Sequence, residues 1–281
     1  MTYFVVVTNK TEYYVDLADS PSTTTNYVPM SIYNNTNLDL YFKVKLKSVN
    51  GGNPDDAGYS NYERTIGLIS PGNKNLKSYL QFDKDISTIT SYPTTDSLTI
   101  TVEAYSDDTY TTLVDSQDIT VNYTYVNHKD SSAVILEKWD FDDGTTQGWS
   151  GFDGVDSGTY FSSPYSAKFN ETYTKRYLTS PTVSFTTTTG ERYWLSFKFR
   201  LSSASADINK VEYSTDGGST YNLLDSFDKT SGSLDELVNK WICYCAKLPL
   251  PEGVTVDLKI RINAKNDNTA HWYDDIVIFK Q

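Results

Sequence analysis

Cysteine, methionine and histidine are scarce in this chain of 281 residues, with two of each. The cysteines, Cys243 and Cys245, stand two apart in Trp-Ile-Cys-Tyr-Cys-Ala. On a strand they project from one face, too close in sequence for an unstrained disulfide. A zinc site needs more soft ligands than this pair and the distant His128 and His271 can offer, so two small core-facing thiols are expected. Two histidines leave a Ser-His-Asp arrangement few bases. Carboxylates are plentiful but fall in no glycosidase signature, and phosphate-loop, dinucleotide and zinc-hydrolase motifs are missing. The expectation is a protein that is not an enzyme.

Positive charge is also short. Lysine and arginine number 24 against 36 acidic residues, a formal net charge of −12. Residues 1–130 carry 9 basic and 16 acidic side chains, and residues 131–281 carry 15 and 20. With both halves acidic and no basic stripe, nucleic acid is excluded as a partner. No apolar run approaches the ~20 residues of a membrane helix, so no membrane span is expected. Residues Met1 to Lys10 lack a basic start and a small-residue cleavage site, and read as a first strand, not a signal peptide.

What abounds is β-forming: threonine, valine, isoleucine, phenylalanine and 23 tyrosines, without long Ala/Glu/Lys/Leu tracts. Apolar and polar residues alternate repeatedly. Phe42, Val44 and Leu46 interleave with Lys43, Lys45 and Lys47, and Leu98, Ile100, Val102 and Ala104 interleave with Thr99, Thr101 and Glu103. Ile119, Val121, Tyr123 and Tyr125 continue the pattern. Period two marks half-buried antiparallel strands, and the segments between them are rich in Asn, Gly, Pro and Asp. The fold class is all-β. Residues 1–130 are expected to form an immunoglobulin-like sandwich. A polar break at Asn127–Ser132 precedes a second domain, residues 131–281.

In that second half, Tyr193, Leu195, Phe197 and Phe199 oppose Trp194, Ser196, Lys198 and Arg200. Val256, Leu258, Ile260 and Ile262 alternate with Asp257, Lys259 and Arg261. Asp216-Gly217-Gly218 predicts a hairpin turn, and Ser233-Leu-Asp-Glu236 a capping box opening a brief helix. The half opens on Trp139-Asp-Phe-Asp-Asp-Gly-Thr-Thr-Gln-Gly-Trp149 and closes on Trp272-Tyr-Asp-Asp-Ile-Val-Ile278. Between these run Ser163-Pro-Tyr-Ser-Ala-Lys-Phe169 and Val211-Glu-Tyr-Ser-Thr-Asp-Gly-Gly-Ser-Thr220. In this order they resemble the β-jelly-roll carbohydrate-binding modules of galactose-binding-like fold and the MAM-type adhesion domains.

The resemblance implies a recognition module of jelly-roll fold with a structural calcium ion where first and last strands meet. Carried onto this chain, the ligands are Glu137, Asp142 and one of Asp274 or Asp275, since calcium favours several hard oxygen donors. Sugar faces set planar rings against a pyranose with polar groups around them. Trp194 falls on the polar register of its strand, which suggests an exposed ring; His271 and Trp272 read as a loop before the last strand, and Trp149 as a loop residue. These four are the candidate carbohydrate-binding residues, while Trp139 and Trp241 are expected in the core. Sequons at Asn9, Asn34, Asn122 and Asn170 are candidate glycosylation sites.

The function expected is a non-catalytic structural or attachment protein, extracellular or on a virion surface or appendage. Its partners would be glycans or a host surface, and other subunits of a surface assembly. The alternatives are a carbohydrate-binding fragment of a secreted glycoside hydrolase or protease, and a cell-surface or filament subunit.

Overall fold

The computed structural model describes residues 3–8, 10–18, 22–169, 175–202, 207–226, 239–265 and 270–281. The capping box at 233–236 and the sequons at Asn9 and Asn170 lie outside them. Among the described residues there is no α-helix, and most neighbouring strands pair antiparallel.

Two compact units emerge. The first comprises residues 1–13 and 19–125, apart from a few residues outside the described set. Its strands are β1 (Phe4–Thr8), β2 (Glu12–Asp16), β3 (Thr23–Asn34), β4 (Leu40–Val49), β5 (Tyr59–Ser60), β6 (Glu63–Ile69), β7 (Lys74–Asp85), β8 (Thr94–Tyr105) and β9 (Leu113–Val126). They form one sheet in the order β1-β3-β7-β5 and another in the order β2-β9-β8-β4-β6. The inward residues of β4 and β8 that the alternation singles out are buried: Phe42, Val44, Leu46, Leu98, Ile100, Val102 and Ala104. Phe82 of β7 meets Tyr123 of β9 edge-on at 5.2 Å, and Phe4 meets Phe42 in the same way. The first unit is thus a two-sheet sandwich closed by interdigitating rings.

The second unit comprises residues 14–18 and residues 126–281, apart from a short stretch outside the described set. The break falls at 125/126, ahead of the polar segment that marks it in the sequence. The physical reason is His128: it is buried, and its Nδ1 lies 2.6 Å from Oδ2 of Asp16. Leu17 N also donates to Val126 O. Within the polar segment His128 is packed structure, while Lys129, Ser131 and Ser132 stay exposed.

Strands β10 (Val134–Trp139), β11 (Gly154–Asp156), β12 (Ser166–Phe169), β15 (Tyr193–Leu201), β18 (Trp241–Leu248) and β20 (His271–Lys280) form one sheet. Its order is β11-β12-β20-β15-β18, with β10 also on β20. The other sheet holds β13 (Lys175–Thr179), β14 (Val183–Thr186), β16 (Asp207–Ser214), β17 (Asn222–Ser226) and β19 (Thr255–Lys265). One core between them takes Trp139, Trp149, Phe197, Phe199, Leu258, Ile260 and Ile276. The Asp216-Gly217-Gly218 turn joins β16 to β17. Both glycines have positive φ there, and the Asp216 carboxylate accepts from Ser214 and Thr220. Cys245 is buried but Cys243 is exposed, both as free thiols; only the first is core-facing.

Candidate functional site

The second-unit sheet carries polar and aromatic side chains on the face opposite its core. Strand register decides which of them meet. Lys168 of β12 lies directly across from Trp272 of β20, Trp272 across from Arg200 of β15, and Arg200 across from Trp241 of β18. Directly opposed residues share a face, so a cation–ring–cation–ring row crosses four strands. Lys168 Nζ is 5.8 Å from the Trp272 ring centre and Arg200 Cζ is 5.6 Å from it, both within cation–π range. All four side chains are half-buried.

Around this row the supports are specific. Asp156 of β11 accepts from Trp272 Nε1 at 3.0 Å and from Lys168 Nζ at 3.0 Å, fixing the indole in its plane. The Trp272 hydrogen bond leads the contacts that hold the Asp156 carboxyl down at about 2. Phe161, exposed in the loop before β12, meets the Trp241 ring edge-on at 6.0 Å and covers Lys198 Nζ at 5.1 Å. That loop is pinned by Asp274, whose Oδ2 accepts from Phe161 N at 2.8 Å and Ser162 N at 2.9 Å. Burial, with the adjacent Asp275, pushes the Asp274 carboxyl up to about 7. Arg200 Nε is buried without an acceptor among the described residues.

The expected sugar-binding residues therefore divide. Trp272 lies on the face, though within β20 and not in a loop. Trp194 is a correction: it is 1 % exposed and packs with Tyr14, Val126, Val277 and Phe279. Strand β15 runs between β18 and β20 with both faces covered near its start, so polar register there does not mean exposure. Trp149 is buried in the core, edge-on to Trp139 at 5.3 Å. His271 is fully buried against Phe169 and Tyr273. Neither can meet a ligand from solvent. Trp241, expected in the core, stands half-buried on the face, and Lys168, Arg200, Asp156 and Phe161 join it without a sequence motif that announces them.

The calcium ligands expected at Glu137, Asp142, Asp274 and Asp275 do not assemble. Among the described residues no three His, Cys, Asp or Glu side chains are placed to hold a metal ion. Asp274 is committed to the Phe161 loop, while Glu137 accepts from the Lys138 amide. Lys138 Nζ lies 3.2 Å from Asp275 and 3.5 Å from Asp140, so an ammonium already stands between two of the nearby carboxylates. Calcium could use these oxygens only by displacing it.

Of the described sequons, Asn34 is 1 % exposed and its amide is consumed by the fold. Nδ2 donates to Leu38 O and Ile69 O, and Oδ1 accepts from Thr36 N and Thr36 Oγ1. A glycan has no place there. Asn122 is half-exposed on β9, between the buried Val121 and Tyr123.

No family model matches the chain, and no curated protein matches it. Solved structures do. A xylan-binding domain from Paenibacillus barcinonensis is 16% identical, spanning 53% of this chain and 96% of its own, with a TM-score of 0.39. A cleaved adhesin domain of Lys-gingipain from Porphyromonas gingivalis is 14% identical over 52% of this chain and 98% of its own, at 0.34. A carbohydrate binding module from Cellvibrio mixtus lichenase, in complex with cellotriose, is 13% identical over 52% and 97%, at 0.30. At these scores the likeness is one of β-sandwich type, and the reading of the site rests on its own geometry.

Proposed function

We propose that the second unit is a carbohydrate-recognition module and that the chain works as a non-catalytic attachment protein outside the cell. The observation that carries this reading is the row Lys168–Trp272–Arg200–Trp241 across four strands. Two half-buried indoles offer flat apolar surface for the C–H face of a sugar ring, and the interleaved cations offer donors for hydroxyl or carboxylate oxygens. Asp156 holds Trp272 in place before a ligand arrives, which lowers the entropy lost on binding. The half-buried Arg200 guanidinium offers outer N–H donors, and a saccharide bearing a carboxylate would supply the best acceptor for them. Repeated display on a particle or cell surface would add avidity to weak single sites. A catalytic domain in the same reading frame would recast the chain as the targeting piece of a secreted hydrolase, using the same face.

The test is a glycan-array screen of the full chain followed by calorimetry on the best ligand. Trp272→Ala and Trp241→Ala should each weaken binding about tenfold or more, roughly 1.4 kcal/mol. Silence across the array from a folded chain, or binding indifferent to both substitutions, overturns the proposal.

A further inference from the structure

The first unit contains a buried polar cluster that glycan recognition does not use. Lys84 projects from β7 and Asp96 from β8, strands that belong to opposite sheets of the sandwich. Both are almost fully buried, at 4 % and 7 % exposed, and Lys84 Nζ lies 3.5 Å from Asp96 Oδ2. Tyr59 and Tyr125, also buried, complete the chamber. Lys84 Nζ sits 4.6 Å from the Tyr59 ring centre and donates to Ala57 O, which limits where the amine can swing.

The two oxygens of Asp96 are held differently. Oδ1 accepts from Asn50 Nδ2 at 2.9 Å, and Oδ2 accepts from the Tyr59 hydroxyl at 2.7 Å. That hydroxyl lies 3.0 Å from the Tyr125 hydroxyl. Burial, then the neighbouring Tyr125 and Asp96, push the Tyr59 hydroxyl far above its ordinary range, so it stays a neutral proton donor. The parts of an acyl substitution are therefore all present: an amine, a carboxyl, a donor for the oxygen that gains charge, and an acid for the oxygen that leaves.

We infer that Lys84 and Asp96 condense into an isopeptide bond that staples the two sheets of the first unit. Proton transfer within the ion pair gives a neutral amine and a neutral carboxyl. The Nζ lone pair attacks Asp96 Cγ, and Asn50 Nδ2 stabilises the charge that builds on Oδ1. Oδ2, protonated with help from Tyr59, then departs. The C–O bond breaks, the C–N bond forms, and one of the two protons on nitrogen returns to Tyr59 while the other stays as the amide N–H. One ammonium and one carboxylate become one amide and one water, with no oxidant, reductant or co-reactant. Holding both groups in a dry chamber supplies the proximity, and exclusion of water favours the amide over its hydrolysis.

Mass spectrometry of the purified full chain tests this. The intact mass should fall short of the sequence mass by one water. Trypsin should fail to cut after Lys84, and a branched peptide joining the segments around residues 84 and 96 should appear on fragmentation. Lys84→Ala should restore the full sequence mass, and Tyr59→Phe should lower the cross-linked fraction. An intact wild-type mass equal to the sequence mass overturns the inference, and that reading needs no variant to fold. A lost water that fragmentation places elsewhere, at an Asp-Gly step for example, overturns it equally.

Discussion

Replacing Asn34 separates a structural amide from a glycosylation acceptor. Its four hydrogen bonds reach Leu38 O at 2.8 Å, Ile69 O at 2.7 Å, Thr36 N at 3.0 Å and Thr36 Oγ1 at 2.7 Å. Leu38 is exposed and Thr36 only half-buried, so water can replace the amide there; Ile69 is only 4 % exposed, and its carbonyl would be stranded. A stranded buried acceptor costs about 1–3 kcal/mol, and each remaining bond is worth about 1 kcal/mol or less once water competes. Asn34→Ala should therefore destabilise the first unit by roughly 2–4 kcal/mol. Asn34→Asp is nearly the same shape but should be worse. The carboxylate keeps its acceptor toward Thr36, yet turns a second oxygen onto two carbonyls that need a donor. Urea unfolding followed by tyrosine and tryptophan fluorescence gives the order wild type, then Ala, then Asp. Acidification should narrow the gap between Asp and Ala, because the protonated carboxyl regains one donor. If Asn34→Asp proves as stable as wild type, the buried amide network is wrong, and so is the exclusion of a glycan at this sequon.

Three further outcomes follow from the second unit. Trp194→Ala should lower its stability by about 3–5 kcal/mol through the cavity left behind, seen in thermal melts, and leave glycan affinity below the melt unchanged; a selective loss of binding would put the ring back on the face. The Asp156 carboxyl, depressed to about 2, stabilises the folded form above its unfolded value of 3.8 and loses that effect as pH falls through about 2. Binding should thus hold from neutral pH down through the ordinary carboxylate range and decline only as pH approaches about 2, and Asp156→Asn should weaken binding at neutral pH; an unchanged affinity in that variant would remove Asp156 from the site. Calcium should raise the melting temperature of Lys138→Met more than that of wild type, since only the variant frees Asp140 and Asp275; an equal or larger rise in wild type would mean that the ion binds without displacing the ammonium.

The parts legible in the sequence were those set by local alternation. Phe42, Val44 and Leu46, or Val256, Leu258, Ile260 and Ile262, are buried where period two puts them, because each strand shows one face to a core. Trp194 escaped that logic. Its strand is central and covered on both sides near its start, and alternation cannot say whether the second face is wet. The row of cations and rings was legible only at Trp272. Lys168, Arg200 and Trp241 come together through register between strands up to about a hundred residues apart, and pairing at that separation leaves no local mark. The same holds for Lys84 and Asp96, which meet across the gap between sheets. His128 misled in the other direction, since a polar run looks like a linker until its partner Asp16 is known.

Residues 14–18 have a consequence for how the chain is made. The second unit takes residues 14–18 from near the N-terminus and the rest from after residue 125, while the first unit takes residues on both sides of 14–18, so the two units interleave along the chain. During synthesis Asp16 leaves the ribosome more than a hundred residues before His128, its partner. The first unit can close early on its own contacts, while the second completes only when strand β20 arrives. A ribosome stalled just after residue 125 has emerged would hold a finished first unit with Asp16 and Tyr14 still waiting for their partners.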